Sequence, residues 1–212
     1  MLIVIEGIDS GGKATHSKLL AERLKGTRFS FPNYDSVTGK AILGHLKLDW
    51  AAVMLRSDSE NSSPLDAVVF QCLQTVNRIE QLPAIYEAMK HGPVIFDRYY
   101  QSAYVYGALD GVDPTWNRSV QESAMPPADV NILLDITVEE SFKRRPERRD
   151  RYEADRRFLE KVRGGYLTLW KERSETGIVG WPVWTVVDGM ESVQAVQEKL
   201  LDCLRGRGMV IP

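Results

Sequence analysis

Residues 7–17 read GIDSGGKATHS, directly after the run LIVIE at 2–6. A short apolar run that ends at a glycine describes a strand buried on both faces. Beyond the glycines, Leu19, Leu20 and Leu24 recur at helical spacing over about residues 13–25, and Gly26 ends the run. Gly7, Gly12 and Lys13 stand between strand and helix in the pattern G-x-x-x-x-G-K. In that context glycines let successive N–H groups turn inward, with the positive end of the helix dipole behind them. The predicted product is a phosphate-binding loop made of Gly7, Ser10, Gly11, Gly12, Lys13, Ala14 and Thr15, where Lys13 adds a point charge for terminal phosphates.

Ala14 occupies the position at which many such loops place a hydroxyl ligand for Mg²⁺. Thr15 follows at once, and its hydroxyl can donate to a phosphate oxygen. Adenylate-kinase-like enzymes resemble this arrangement, their Mg²⁺ being held mostly by phosphate oxygens and water. The substitution therefore favours a nucleotide kinase over a GTPase switch, and no N-K-x-D tetrad is present to read a guanine.

Outward from the loop, short apolar runs alternate with longer stretches of helical period, the pattern of a parallel sheet wrapped by helices. Strands are predicted at 2–6, 28–31, 93–97, 130–135 and 183–187. Helices are predicted at 13–25, at 64–91 (one helix kinked at Pro83, or two), and near 99–108, 115–124, 138–145, 151–175 and 191–205. The polar stretches 56–64 and 144–151 read as loops. No repeat or linker divides the chain. Residues 1–212 are thus expected to form one α/β domain of three layers, a five-stranded parallel sheet flanked by helices.

Of the 212 residues 43% are hydrophobic, enough for one core of this size. A formal charge of -2 argues against a surface made for nucleic acid. No stretch approaches the roughly 18 apolar residues of a membrane span. MLIVI has no basic n-region and reads as a strand, not a signal peptide. Cys72 and Cys203 lie far apart without metal-ligand spacing, which suits a reducing cytoplasm.

The third predicted strand runs into DRYYQSAYVYG at 97–107. An Asp-Arg pair at a strand end can be a structural ion pair, or the carboxylate can organise Mg²⁺ or the acceptor end of a reaction while the guanidinium holds an acceptor phosphate with two parallel hydrogen bonds. Together with EGIDSGGKAT (6–15), FPNYDSVTGKAI (31–42), NRIEQ (77–81), PPADVNILLD (126–135) and RDRYE (149–153), this motif resembles the thymidylate kinases. These are nucleoside monophosphate kinases of the P-loop superfamily, and the likeness extends in order and spacing from residue 2 to about 170.

The resemblance implies the P-loop NTPase fold, ATP on Gly7–Thr15, and an acceptor between Asp9, Phe31, Tyr34, Arg78, Arg98, Ser102 and Tyr106. Asp9 is implied to accept the 3′-hydroxyl of the deoxyribose, Arg78 to reach the thymine edge, and Tyr106 to lie against the sugar where a 2′-hydroxyl would be. Lys13, Asp97 and Arg98 are the implied catalytic residues, with Asp97 also the metal candidate. One turn before Arg78 the family usually has a phenylalanine that stacks on the base; here Gln74 stands there. Gln74 can hydrogen-bond the base, or Phe70 one turn further back can supply the ring. Phe70 as ordinary core packing is an equal alternative.

Residues 143–157, KRRPERRDRYEADRR, hold eight of the 27 Lys and Arg residues beside four acids. Their place after a strand and short helix is where these kinases carry a lid, here about 143–153. Arginines there can neutralise charge spreading over a transferring phosphoryl group. Arg144, Arg148 and Arg151 are the candidates, Arg145 and Arg149 standing behind them. The expected activity is transfer of the γ-phosphoryl of ATP to dTMP with Mg²⁺, by a homodimer as is common in the family. The rival readings are a kinase of another deoxynucleotide, which Gln74 keeps open, and a nucleotide-binding protein without catalysis, for which Ala14 is the main argument.

Overall fold

The computed structural model describes residues 1–47, 64–147, 155–175, 183–209 and 211. Five strands, β1 (Leu2–Glu6), β2 (Thr27–Ser30), β3 (Val94–Asp97), β4 (Val130–Asp135) and β5 (Val183–Asp188), form one sheet in the order β2-β3-β1-β4-β5. Every pairing is parallel. Nine helices flank it among the described residues: α1 (Lys13–Leu24), α2 (Val37–Leu46), α3 (Pro64–Ile79), α4 (Leu82–His91), α5 (Tyr100–Leu109), α6 (Pro114–Ala124), α7 (Val138–Arg144), α8 (Arg156–Glu175) and α9 (Val193–Arg205).

β1 is buried throughout because both of its faces are covered. Ile3 and Ile5 pack with Leu20 and Leu24 of α1 and Leu200 and Leu204 of α9. Leu2 and Val4 face the opposite layer, with Phe96, Ile85 of α4 and Tyr100 of α5. Further along that layer Val162, Tyr166 and Leu169 of α8 pack on Val105 and Leu133. The three-layer expectation is thereby met.

One open choice is settled and two local features differ from the sequence expectation. The 64–91 stretch is two helices, and Pro83 lies in the first turn of α4, where its missing N–H costs no hydrogen bond. α2 was not anticipated. Ser36 caps it by accepting from the Gly39 N–H at 3.0 Å, and Ile42 and Leu46 pack on Phe70. Gly39 hides this helix from a propensity reading, yet it is required there, since a Cβ would collide with the Asn33 carbonyl oxygen. On α1, Leu19 is only half-buried, and the buried face is Lys13, His16, Ser17, Leu20, Ala21 and Leu24. Its first turn thus faces the nucleotide loop rather than the apolar core. The predicted loop at 56–64 and the part of the lid at 148–153 lie outside the described residues, Pro64 excepted.

Register decides what meets at the carboxyl edge of the sheet. Ile5 pairs with Asp97 and with Ile132, while Ser30 pairs with Asp97. The segments beginning at Gly7, Arg98 and Phe31 therefore leave the sheet side by side, in the crevice where open α/β sheets bind ligands.

Candidate active site

The loop after β1 is built from left-handed backbone: φ is +144° at Gly7, +61° at Ser10 and +91° at Gly12. A Cβ on Gly7 would run into the Leu134 carbonyl oxygen, so glycine is needed there for close approach as well as for conformation. The first amides of α1, which have no partner within a helix, open onto the loop. Lys13 folds back over it and donates to the Ile8 carbonyl at 2.7 Å. Burial, with the nearby Arg98 charge, pulls its amine down to about 8, against the opposing pull of Asp9, Asp97 and Glu6. The Ser10 Oγ is buried with no hydrogen-bond partner among the described residues. Ala14 and Thr15 are exposed on the first turn.

Arg98 follows β3 in left-handed conformation, φ +65°. Its N–H donates to the Ile5 carbonyl at 3.0 Å, which ties it to β1. Its guanidinium forms an ion pair with Asp9 and donates to the Gly7 carbonyl at 3.3 Å and the Tyr166 hydroxyl at 3.4 Å. Burial alone would raise the Asp9 carboxyl, but the charges of Arg98 and Lys13 outweigh it and hold Asp9 below its usual value. Burial likewise opposes the charge on Arg98, and Asp9 more than offsets it. Asp97 turns elsewhere. It pairs with Arg28 at 2.6 Å, and Arg28 also donates to the Ser17 hydroxyl at 2.7 Å.

A cavity of about 130 Å³ opens beside Arg98. Asp9, Phe31, Tyr34, Phe70, Gln74, Arg78, Arg98, Ser102 and Tyr106, every residue predicted for the acceptor, line it together. Pro32, Leu46, Gln71, Tyr99 and Ala103 complete the wall. Arg78 lies 2% exposed at the deep end, donating to Gln121 at 3.0 Å, and burial brings its guanidinium down to about 10. Phe70 is both cavity wall and core, since its ring stacks on His45 at 4.3 Å. The Tyr106 hydroxyl approaches Asp9 at 3.5 Å, and its burial beside that carboxylate keeps it protonated. Tyr34 stands at the mouth, 41% exposed. Asp97 does not line the cavity.

Sequence reading missed Gln71, Glu6 and Tyr166. Gln71 is three residues before Gln74 on the same helix face, a spacing that could have flagged it. Tyr166 carries no local signal of its place in the site, and Glu6, though it opens the matched stretch EGIDSGGKAT, is brought to its partners by strand and helix packing.

A profile of the thymidylate kinase family matches residues 5–200 of the chain. The chain belongs to the thymidylate kinase family. As a member it is an ATP-dependent phosphotransferase. A probable thymidylate kinase of Methanocaldococcus jannaschii is 33% identical over 172 residues, 81% of this chain and 82% of the relative. The thymidylate kinase of Schizosaccharomyces pombe is 30% identical over 207 residues, 95% and 90% of the two chains. A solved Candida albicans thymidylate kinase superposes with a TM-score of 0.75 at 22% identity, covering 98% of this chain and 92% of that one, a likeness of fold.

Of the lid candidates, Arg144 reaches the loop edge, donating to the Gly189 carbonyl at 2.7 Å and the Ser10 carbonyl at 3.5 Å. It also bonds Glu140 at 2.9 Å. Arg148, Arg149 and Arg151 lie outside the described residues, and Arg145 ends α7. Among the described residues no group of three or more His, Cys, Asp or Glu is placed to hold a metal ion. Asp97, the predicted metal candidate, is engaged by Arg28. No helix among the described residues is long and apolar enough to cross a membrane.

Proposed function

We propose that the protein transfers the γ-phosphoryl group of ATP to dTMP, giving dTDP and ADP. The observation that carries this reading is the single cavity in which Arg98, Arg78, Asp9 and Tyr106 converge, opening beside a phosphate loop whose lysine is buried. The loop amides and Lys13 hold the donor's phosphates, and Arg98 holds the acceptor phosphate opposite, so the reacting atoms are brought into line before reaction. Asp9 takes the sugar 3′-hydroxyl, Tyr106 fills the space a 2′-hydroxyl would need, and Arg78 reaches the base. Mg²⁺ bound with the nucleotide would neutralise charge on the phosphates. The attacking oxygen belongs to a phosphate already ionised near neutral pH, so no general base is called for. Lid arginines, Arg144 among them, with Arg148 and Arg151, add positive charge over the transferring group.

A second reading, a kinase of wider deoxynucleotide choice, is favoured by one observation: a half-buried amide, Gln74, lines the cavity where the family usually places a ring. The proposal extends to a homodimer, supported by Val76 and Ile79, left 43% and 41% exposed on α3. It also places the protein in a reducing cytoplasm, supported by two free cysteines. The test is ADP release coupled to an indicator reaction across dTMP, dUMP, dCMP, dGMP, dAMP and UMP. A clear preference for dTMP supports the first reading, and equal rates with all six acceptors would remove the base-pocket assignment. ADP release that ignores the acceptor would remove the kinase itself.

A further inference from the structure

Glu6, the last residue of β1, is fully buried, although burying a carboxylate is costly unless its oxygens are satisfied. Its four described hydrogen bonds come from three residues, Tyr99 and Ser102 of the cavity wall and Tyr166 of α8. Oε1 accepts from the Tyr99 N–H at 2.9 Å and the Ser102 N–H at 3.1 Å. Oε2 accepts from the Ser102 hydroxyl at 2.8 Å and the Tyr166 hydroxyl at 3.0 Å. Tyr99 is the N-cap of α5 and has no side-chain cap of its own, so Glu6 caps that helix from the neighbouring strand.

The residue enclosed by these bonds is Arg98. Its left-handed backbone is a conformation that a side chain with a Cβ holds only when its surroundings impose it. On one side its own N–H is fixed to Ile5, and on the other the Tyr99 N–H is fixed to Glu6. The guanidinium is reached as well: the Tyr166 hydroxyl that donates to Glu6 accepts from Arg98 Nη1 at 3.4 Å. Tyr166 sits on α8 with its ring in the core, so Glu6 links three elements around one arginine.

We infer that Glu6 is a positioning residue for acceptor binding: through Tyr99, Ser102 and Tyr166 it holds Arg98 in the pose that grips the acceptor's phosphate. The inference rests on the proposed role of Arg98 and adds a residue to which neither the family likeness nor the cavity lining assigns a part. Glu6 does not line the cavity, so its loss acts through the residues it holds, Arg98 first among them. Misplacement by about an ångström can cost roughly 100-fold in rate.

The test separates phosphate recognition from the rest of the acceptor. Glu6→Gln keeps an oxygen for the two backbone N–H groups and an amide that the rotating hydroxyls can meet, but removes the charge that strengthens those bonds. Tyr166→Phe keeps the ring packed and deletes only the hydroxyl bridge, and it carries the test alone if Glu6→Gln does not fold. Calorimetry should show dTMP bound about tenfold more weakly by either variant, roughly one charge-assisted bond, with thymidine, which has no phosphate, changed by less than about twofold. Turnover with dTMP should fall while the KM for ATP holds. The inference is overturned if both variants keep the wild-type ratio of dTMP to thymidine affinity, or if the two affinities fall together as in general destabilisation. A wild-type protein that binds thymidine as tightly as dTMP would instead remove the phosphate role of Arg98, and this assignment with it.

Discussion

Donor binding should weaken as the pH rises through 8, because the amine that meets the phosphates is buried. Lys13 titrates at about 8 in the nucleotide-free protein, against 10.5 for an ordinary lysine, chiefly because burial disfavours its charge. With that value about 90% of the molecules carry the charge at pH 7 and about 10% at pH 9, whereas an ordinary lysine would stay charged throughout. Phosphates favour the charged form, so binding raises the pKa, and affinity present below 8 is lost as pH climbs past it. The Kd of a non-hydrolysable ATP analogue, measured without acceptor, should rise about tenfold from pH 7 to pH 9. At pH 8.5 binding should draw in about three-quarters of a proton, visible as a dependence of the calorimetric heat on the buffer's ionisation enthalpy. Nucleotide phosphates are already ionised over this range, and Arg78 at about 10 titrates above it. Lys13→Arg should bind more weakly but lose the pH dependence, since a guanidinium stays charged. A constant Kd with no proton uptake would refute the reasoning, since Lys13 would then be either fully charged throughout or not in contact with the phosphates.

Arg98→Lys should lower kcat/KM for dTMP about 100-fold by replacing a bidentate fork with a point charge, while the KM for ATP stays within a few-fold; equal losses for both substrates would contradict the separation of donor and acceptor ends. Gln74→Phe should lower the KM for dTMP by roughly tenfold, one base stacked on one ring, and an increase would mean that Gln74 already contacts the base usefully. Stripping divalent cations with EDTA should abolish turnover, and Ala14→Ser should lower the Mg²⁺ concentration for half activity a few-fold by adding a hydroxyl ligand. If Ala14→Ser needs the same Mg²⁺ concentration for half activity as the parent, the position beside Lys13 does not face the metal.

The loop at 7–15 was legible because its chemistry is local. Glycine spacing, a lysine and the switch from strand to helix all lie within one short stretch, and the left-handed angles at Ser10 and Gly12 realise what that stretch requires. The five strands were legible for the same reason, as short apolar runs between turn residues. α2 was not, since the glycine within it answers a contact with Asn33 rather than its own helix. Pro83 left a choice open: a proline inside a periodic run can mark a kink or the first turn of a new helix until the break before it is known.

The acceptor residues were named from motifs scattered between residues 9 and 106, but it takes the parallel pairing of β1 and β2 with β3, and the packing of α3 beside them, to make them one cavity. Partner choice separated two residues that adjoin in sequence, Asp97 turning to Arg28 while Arg98 pairs with Asp9. Glu6 and Tyr166 lie 160 positions apart, and nothing in their neighbours announces that they share a hydrogen bond. Sequence alone determined the local devices, because backbone angles and periodicity depend on near neighbours. Tertiary structure decided which charges meet and how far each is buried, because those depend on register and packing between segments that the chain keeps far apart.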